Sequence, residues 1–333
     1  DVCSSDLLLC GYGMAAEQTL DYLNLLAIAW GAHPDAWVRT DSGEIQYGSI
    51  QPEMKEAVKE WAEWYKEGIL SPDFATMNTD QMNQDVIAGK TGVQPYYQWW
   101  GWTPGKDEVT AQGQDAYFEP FMIPSANGEE VLQTIFYANN TFTVVSKNCE
   151  HPEAALKLIN FFGYVYGDAI QEKGVDWVNE FIDKGRAHNG AFRVLDPISE
   201  EEMYVETVAA LKAKDPSNIK TMSGRLRYDD NIEWEETHDP DAVGAVLQVG
   251  LGRCSYGLAK EILDNKQYIK SELKGFTPET ILNTGTTLDD ILTEGFTKII
   301  IGDQPIEYFD TVVENWKKAG GEQATKEMNE LYG

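Results

Sequence analysis

Five aromatic rings fall within the nine residues Gln94-Pro95-Tyr96-Tyr97-Gln98-Trp99-Trp100-Gly101-Trp102, interleaved with two glutamines and a glycine. A core strand would draw instead on Val, Ile and Leu. Trp and Tyr present flat apolar faces with polar edges. Such faces stack on ligands that are apolar on one side and hydroxylated at the rim, as sugar rings are. A tryptophan-rich core strand followed by a turn fits the same residues, because buried aromatics dominate ordinary cores too. Candidate ligand contacts in the run are Trp99, Trp100 and Trp102.

The elements that must position this run are legible upstream. Met82 to Ala88 reads as a short helix, Gly89-Lys90-Thr91 as a turn, and Thr91 to Gln94 as a strand that delivers the aromatics to its far end. Ligands of open α/β sheets collect at such strand ends. A phosphate loop is excluded, since Gln84 stands where that motif needs its first glycine.

Other chemistries find little footing. Cys3, Cys10, Cys149 and Cys254 form no C-x-x-C pair, and His33, His151, His188 and His238 are scattered. Neither a metal centre nor a redox motif is expected, and no cofactor. The acidic patch Asp229, Asp230, Glu233, Glu235 and Glu236 lacks the order of a calcium loop and reads as a solvated face. Gly11-Tyr12-Gly13-Met14-Ala15-Ala16 matches a loose dinucleotide fingerprint, but no second βαβ unit follows it. Paired carboxylates of a glycoside hydrolase or lyase would have to come from Asp107, Glu108, Asp115 and Glu119, and nothing in their spacing selects a pair. With 55 acidic against 26 basic residues, the net charge of −29 repels nucleic acid and anionic membrane surfaces.

The 333 residues, 42% of them hydrophobic, leave room for two lobes. Helices are expected at Thr19–Ala29, at Pro52–Glu67 with the stripe Met54, Val58, Trp61 and Tyr65, from Pro152 to Tyr166 and from Ser199 to Ala213. Further helices are expected over Ala242–Asn265 with a break at 250–257, over Thr287–Ile301 and Pro305–Ala319, and at the end of the chain. Ser42-Gly43 predicts a hairpin turn. Ala116–Ile123 and Thr134–Val145 have strand character, the latter with Asn139-Asn140 set in it as a bend or as polar groups facing a cleft. The stretch 174–241 is otherwise hard to read.

Taken together, these features resemble the family 1 extracellular solute-binding proteins of bacterial ABC transporters, in their oligosaccharide-binding lipoprotein branch. The residues that carry the resemblance are Trp30-Gly31-Ala32 with Trp37, Gly43 and Tyr47-Gly48, then Trp64-Tyr65-Lys66-Glu67-Gly68-Ile69-Leu70. Ile87-Ala88-Gly89-Lys90-Thr91-Gly92 and His151-Pro152-Glu153-Ala154-Ala155 with Asn160-Phe161 continue it. Phe296–Gly302, Phe309-Asp310, Trp316, Gly320-Gly321, Glu327 and Asn329 close it.

The resemblance implies an α/β, two-lobed periplasmic-binding-protein-like fold of type II, with the first lobe incomplete. Residues 19–133 and 203–333 would form the second lobe and 134–202 the remainder of the first. Residues 1–18 stand apart as a tail, and Asp1–Leu7 resembles adaptor read-through more than native sequence. It further implies a non-catalytic monomer that holds an oligosaccharide between the lobes, with Tyr97, Trp30 and Asn139 as further contacts, and passes it to membrane permease subunits. The full-length protein would be extracellular and anchored as a lipoprotein. Residues 175–275 match the family poorly, and no signal peptide or lipobox is present.

Overall fold

The computed structural model describes residues 12–14, 16–113, 119–136, 143–166, 169–174, 177, 180 and 199–333. Helices dominate, and the strands are short, so the chain is a helix-rich member of the α/β class. Strand β1 (Tyr12–Met14) pairs in parallel with β4 (Thr91–Val93), β2 (Trp37–Arg39) pairs antiparallel with β3 (Ile45–Tyr47), and β5 (Gln133–Ile135) pairs in parallel with β6 (Tyr268–Lys270). The chain divides into two compact units. Unit 1 comprises 1–97, 121–139 and 262–333, and unit 2 comprises 98–120 and 140–261.

Unit 1 is built around one large apolar core. Helix α1 (Pro52–Lys66) opens on a proline, which has no N–H to leave unpaired there, and ends before Gly68 in the left-handed region. Met54, Ala57, Val58 and Trp61 recur at helical spacing and are all buried, while Tyr65 only flanks the core. Helix α2 (Thr79–Ile87) starts three residues before the sequence expectation. A reciprocal capping box sets its start: Asn78 Oδ1 accepts from the Gln81 N–H, and Gln81 Oε1 accepts from the Asn78 N–H, each at 2.9 Å. The expected hairpin at Ser42-Gly43 joins β2 to β3. Asn329 pins it from the far end of the chain, exchanging hydrogen bonds with both the N–H and the C=O of Ile45 at 2.8 Å.

Helix α9 (Glu279–Ile300) lays Leu288, Leu292, Phe296 and Ile299 on this core. Helix α10 (Tyr308–Trp316) crosses it closely at Gly295. A side chain there would lie 2.4 Å from Val312 Cγ2, which is why the position is glycine. Phe296 and Phe309 stack beside this crossing at 5.3 Å. A π turn over Lys317–Gly321 then leads into α11 (Glu322–Tyr332).

Unit 2 is assembled from α3 (Gly105–Gln112), α4 (Glu153–Tyr166), α5 (Ser199–Ala213), α6 (Met222–Thr237), α7 (Val243–Gln248) and most of α8 (Ser255–Asn265). Its apolar clusters are small and separate. On α4, Phe162 is buried and Ala155 and Ile159 are half-buried, but Leu158 is 46% exposed, so the face expected to turn inward is covered only in part.

Three sequence expectations are corrected. Residues 119–123 form no strand, and the strand expected over Thr134–Val145 is limited among the described residues to Gln133–Ile135. Thr19–Ala29 is helical as a four-residue turn, Asp21–Asn24, that tightens into a 3-10 stretch over Leu25–Trp30. Asn139 lies outside the described residues, as do Cys3, Cys10 and Asp115.

Candidate binding site

The aromatic run does not continue as a strand beyond β4. Gln94 turns aside and its amide donates to Asn83 Oδ1 at 3.0 Å. Tyr96 stacks on Tyr22 at 4.6 Å, and Tyr97 meets the same ring edge-on at 5.5 Å, all within unit 1. Burial and the neighbouring ring raise the Tyr22 hydroxyl far above its ordinary value, and burial with nearby carboxylates raises that of Tyr97. Both phenols are therefore neutral hydrogen-bonding groups. Trp30, also in unit 1, packs at the margin of the core with its ring 5.8 Å from that of Trp64.

The tryptophans follow in unit 2, on a 3-10 turn at Gln98–Gly101. Ser255 at the start of α8 donates to the Gln98 carbonyl at 2.6 Å and fixes one end of the turn. Gly101 fixes the other by close approach, since a Cβ there would sit 2.7 Å from the Gly244 carbonyl oxygen. The structure separates the three indoles by role. Trp100 turns inward against Val109, Val243 and Leu247, with its ring against Gly105. Trp99 and Trp102 face outward, 45% and 38% exposed. Trp102 rests on Gly244, where any side chain would collide with Cε3 at 2.9 Å.

Behind Trp102 lies a polar layer that the sequence did not point to. The Arg227 guanidinium on α6 is 5.8 Å from the Trp102 ring and 6.0 Å from that of Tyr256. Arg227 Nη2 donates to Gln248 Oε1 at 3.2 Å, and Nη1 donates to the Ser223 carbonyl at 3.3 Å. The Tyr256 hydroxyl donates to Glu200 Oε2 at 3.1 Å. Arg227 Nε and Gln248 Nε2 are buried donors with no partner among the described residues. Burial lowers the Arg227 pKa, but the group starts so high that it stays charged. Burial and Glu233 push Asp230, three residues along the same helix, up to about 6.

This arrangement offers exposed indole faces over a buried polar layer, and such faces can stack a ring. Of the described carboxylates near the run, Glu108 is buried, with Oε2 unpartnered, while Asp107 and Glu119 are exposed. Among the described residues no group of His, Cys, Asp and Glu is placed to hold a metal ion. In the acidic patch on α6, both Asp229 oxygens accept from Arg225 Nε at 2.9 Å. No helix among the described residues is long and apolar enough to cross a membrane.

Residues 8–163 match the sequence profile of the bacterial extracellular solute-binding proteins. Lipoprotein LipO of Bacillus subtilis (strain 168) is 22% identical over 335 residues, covering 96% of this chain and 60% of LipO. An uncharacterized protein from the butB 5′ region of Niallia circulans is 23% identical over 279 residues, covering 80% of this chain and 94% of its own. A candidate oligosaccharide periplasmic-binding protein from Synechococcus sp. MITs9220 superposes with a TM-score of 0.49 at 13% identity, over 94% of this chain and 62% of that one. The chain thus spans about three fifths of the length of LipO. The profile match over residues 8–163 takes in just under half of this chain.

Proposed function

We propose that this protein binds a carbohydrate, an oligosaccharide, by stacking sugar rings on Trp99 and Trp102 and bonding their hydroxyls to the polar layer behind. The observation that carries this reading is Trp102: a substantially exposed indole, seated on a glycine, with the Arg227 guanidinium 5.8 Å from its ring. An exposed indole costs apolar burial. A ligand ring that covers it recovers that loss. Tyr97, Trp30 and Asn139 are further proposed contacts.

The protein is non-catalytic in this reading and hands its ligand to the membrane permease of an ABC transporter. The family profile over residues 8–163 supports that role. An extracellular location with a lipid anchor on the whole protein is supported by the lipoprotein relative. The test is a glycan array on the purified chain, followed by calorimetry and product analysis on the best ligands. Reversible oligosaccharide binding without product is expected. Silence across the array would overturn the reading, and released product would replace it with a glycoside hydrolase or lyase.

A further inference from the structure

The sequence holds two Asn-Gly pairs, Asn127-Gly128 and Asn189-Gly190. Asn189 lies outside the described residues, whereas Asn127 sits in a bend of unit 1. Every residue from Pro124 to Glu130 is exposed, so water reaches the bend. The Ala126 N–H ties it to the Ala29 carbonyl at 2.8 Å. An asparagine before glycine carries a latent reaction. The next main-chain nitrogen, unshielded by a side chain, can attack the carboxamide carbon.

The hydrogen bonds of the bend favour that attack. Asn127 Oδ1 accepts from the Glu129 N–H at 2.9 Å. The side chain reaches that donor by folding back along the main chain, which turns Cγ toward the intervening Gly128 nitrogen. Oδ1 also accepts from the Ser125 hydroxyl at 3.0 Å. Two donors on one carbonyl oxygen draw charge from Cγ and are in place to hold the oxyanion that attack creates.

The nucleophile and the leaving group are served as well. The Gly128 N–H donates to Ser125 Oγ at 2.8 Å, so its proton has an acceptor, and one hydroxyl faces both the nucleophile and the oxyanion. Gly128 has φ +84, and no atom lies within 4 Å of where a Cβ would stand, so the approach is open. The amine to be expelled is weakly held. Asn127 Nδ2 reaches the Trp30 carbonyl and Glu129 Oε2, both at 3.5 Å, the outer limit of a hydrogen bond.

We propose that Asn127 is a self-modification site, at which the bend converts asparagine into an aspartyl residue with water as co-reactant. The Gly128 nitrogen attacks Cγ, the N–Cγ bond forms and the Cγ–Nδ2 bond breaks. The Gly128 proton passes by way of the Ser125 hydroxyl and the tetrahedral oxygen to Nδ2, which leaves as ammonia. Water then opens the cyclic imide at either carbonyl, giving aspartate or isoaspartate, and nothing is oxidised or reduced. Either product adds a negative charge beside Glu129 and Glu130. Isoaspartate also lengthens the main chain by a methylene in the bend that Ala126 ties to Ala29, next to Trp30. No ligand takes part, so this inference and the carbohydrate reading fail separately.

The test incubates the whole chain at mildly alkaline pH and physiological temperature, with a parallel sample in urea. Mass spectrometry of the peptide carrying Asn127, with enzymatic methylation of isoaspartate, follows the conversion. Loss of the Asn127 amide in the folded chain, at least as fast as in urea and with isoaspartate among the products, is expected. Ser125→Ala should slow it by about tenfold or more, and Gly128→Ala, which shields the nitrogen and disfavours the left-handed backbone, should slow it likewise. Both positions are exposed, so circular dichroism should show both variants folded as the wild type. The proposal is overturned if Asn127 stays an amide in the folded chain, if it converts faster in urea, or if Ser125→Ala converts at the wild-type rate.

Discussion

Glu108 should make unit 2 lose stability as pH rises, and Glu108→Gln should abolish that loss. The carboxyl on α3 is 6% exposed, Oε2 has no partner among the described residues, and burial alone pushes its pKa up to about 8. Below the ordinary glutamate value of 4.5 the group is protonated in folded and unfolded chains alike, and contributes nothing. Between 4.5 and about 8 the unfolded chain releases the proton while the folded chain keeps it, so stability falls through that window and levels off above it. At about 1.4 kcal/mol per pH unit the full window sets a ceiling of about 5 kcal/mol. Water reaching part of the carboxyl brings the expected loss nearer about 2–3 kcal/mol. The glutamine variant mimics the protonated acid at every pH. Urea unfolding followed by intrinsic fluorescence should give matching midpoints for wild type and variant near about pH 5, and a clearly higher midpoint for the variant near about pH 9. Parallel profiles across that range would refute the reasoning, because they would mean that Glu108 ionises as freely folded as unfolded.

Gly295→Val should destabilise unit 1 by about 1–3 kcal/mol or more, because the new side chain meets Val312 at the closest point of the α9–α10 crossing. A melting temperature unchanged from the wild type would show that the crossing yields freely. Exhaustive chelation should leave the thermal unfolding profile unchanged, since no described cluster is built for a metal. A calcium-dependent rise in melting temperature would contradict this and direct attention to Asp229–Glu236.

What the sequence discloses and what it conceals follow physical lines. Helix α1 is legible because proline, an apolar stripe and a left-handed glycine agree on its limits. Helix α5 also has its expected limits, Ser199–Ala213. Helix α6 is not, because charges are spread around its whole circumference and leave little apolar periodicity to read. Only Thr221, whose hydroxyl accepts from the Gly224 N–H at 3.1 Å, marks its start. Helix α9 begins eight residues before its expected start. Its first turns carry Thr284, Gly285, Thr286 and Thr287, poor helix formers that tertiary contacts override. Glu327, from the far end of the chain, accepts from the Thr280 N–H and hydroxyl and secures that end.

The same division holds at the candidate site. The aromatic run announces itself by composition, but its three tryptophans look alike in sequence. Only the fold turns Trp100 inward and leaves Trp99 and Trp102 exposed. Arg227, Gln248 and Tyr256 stand more than a hundred residues away and are brought behind Trp102 by the packing of α6, α7 and α8. No local spacing signals such a meeting.

The most direct test of the central claim is the oligosaccharide affinity of Trp99→Ala and Trp102→Ala, measured by calorimetry with Trp100→Ala as the inward-facing comparison. Both outward residues are partly exposed, so their removal should leave the unfolding midpoint close to that of the wild type. At least one of the two should weaken binding by about 1–3 kcal/mol, roughly five- to 150-fold. Normal affinity in all three folded variants would contradict the account.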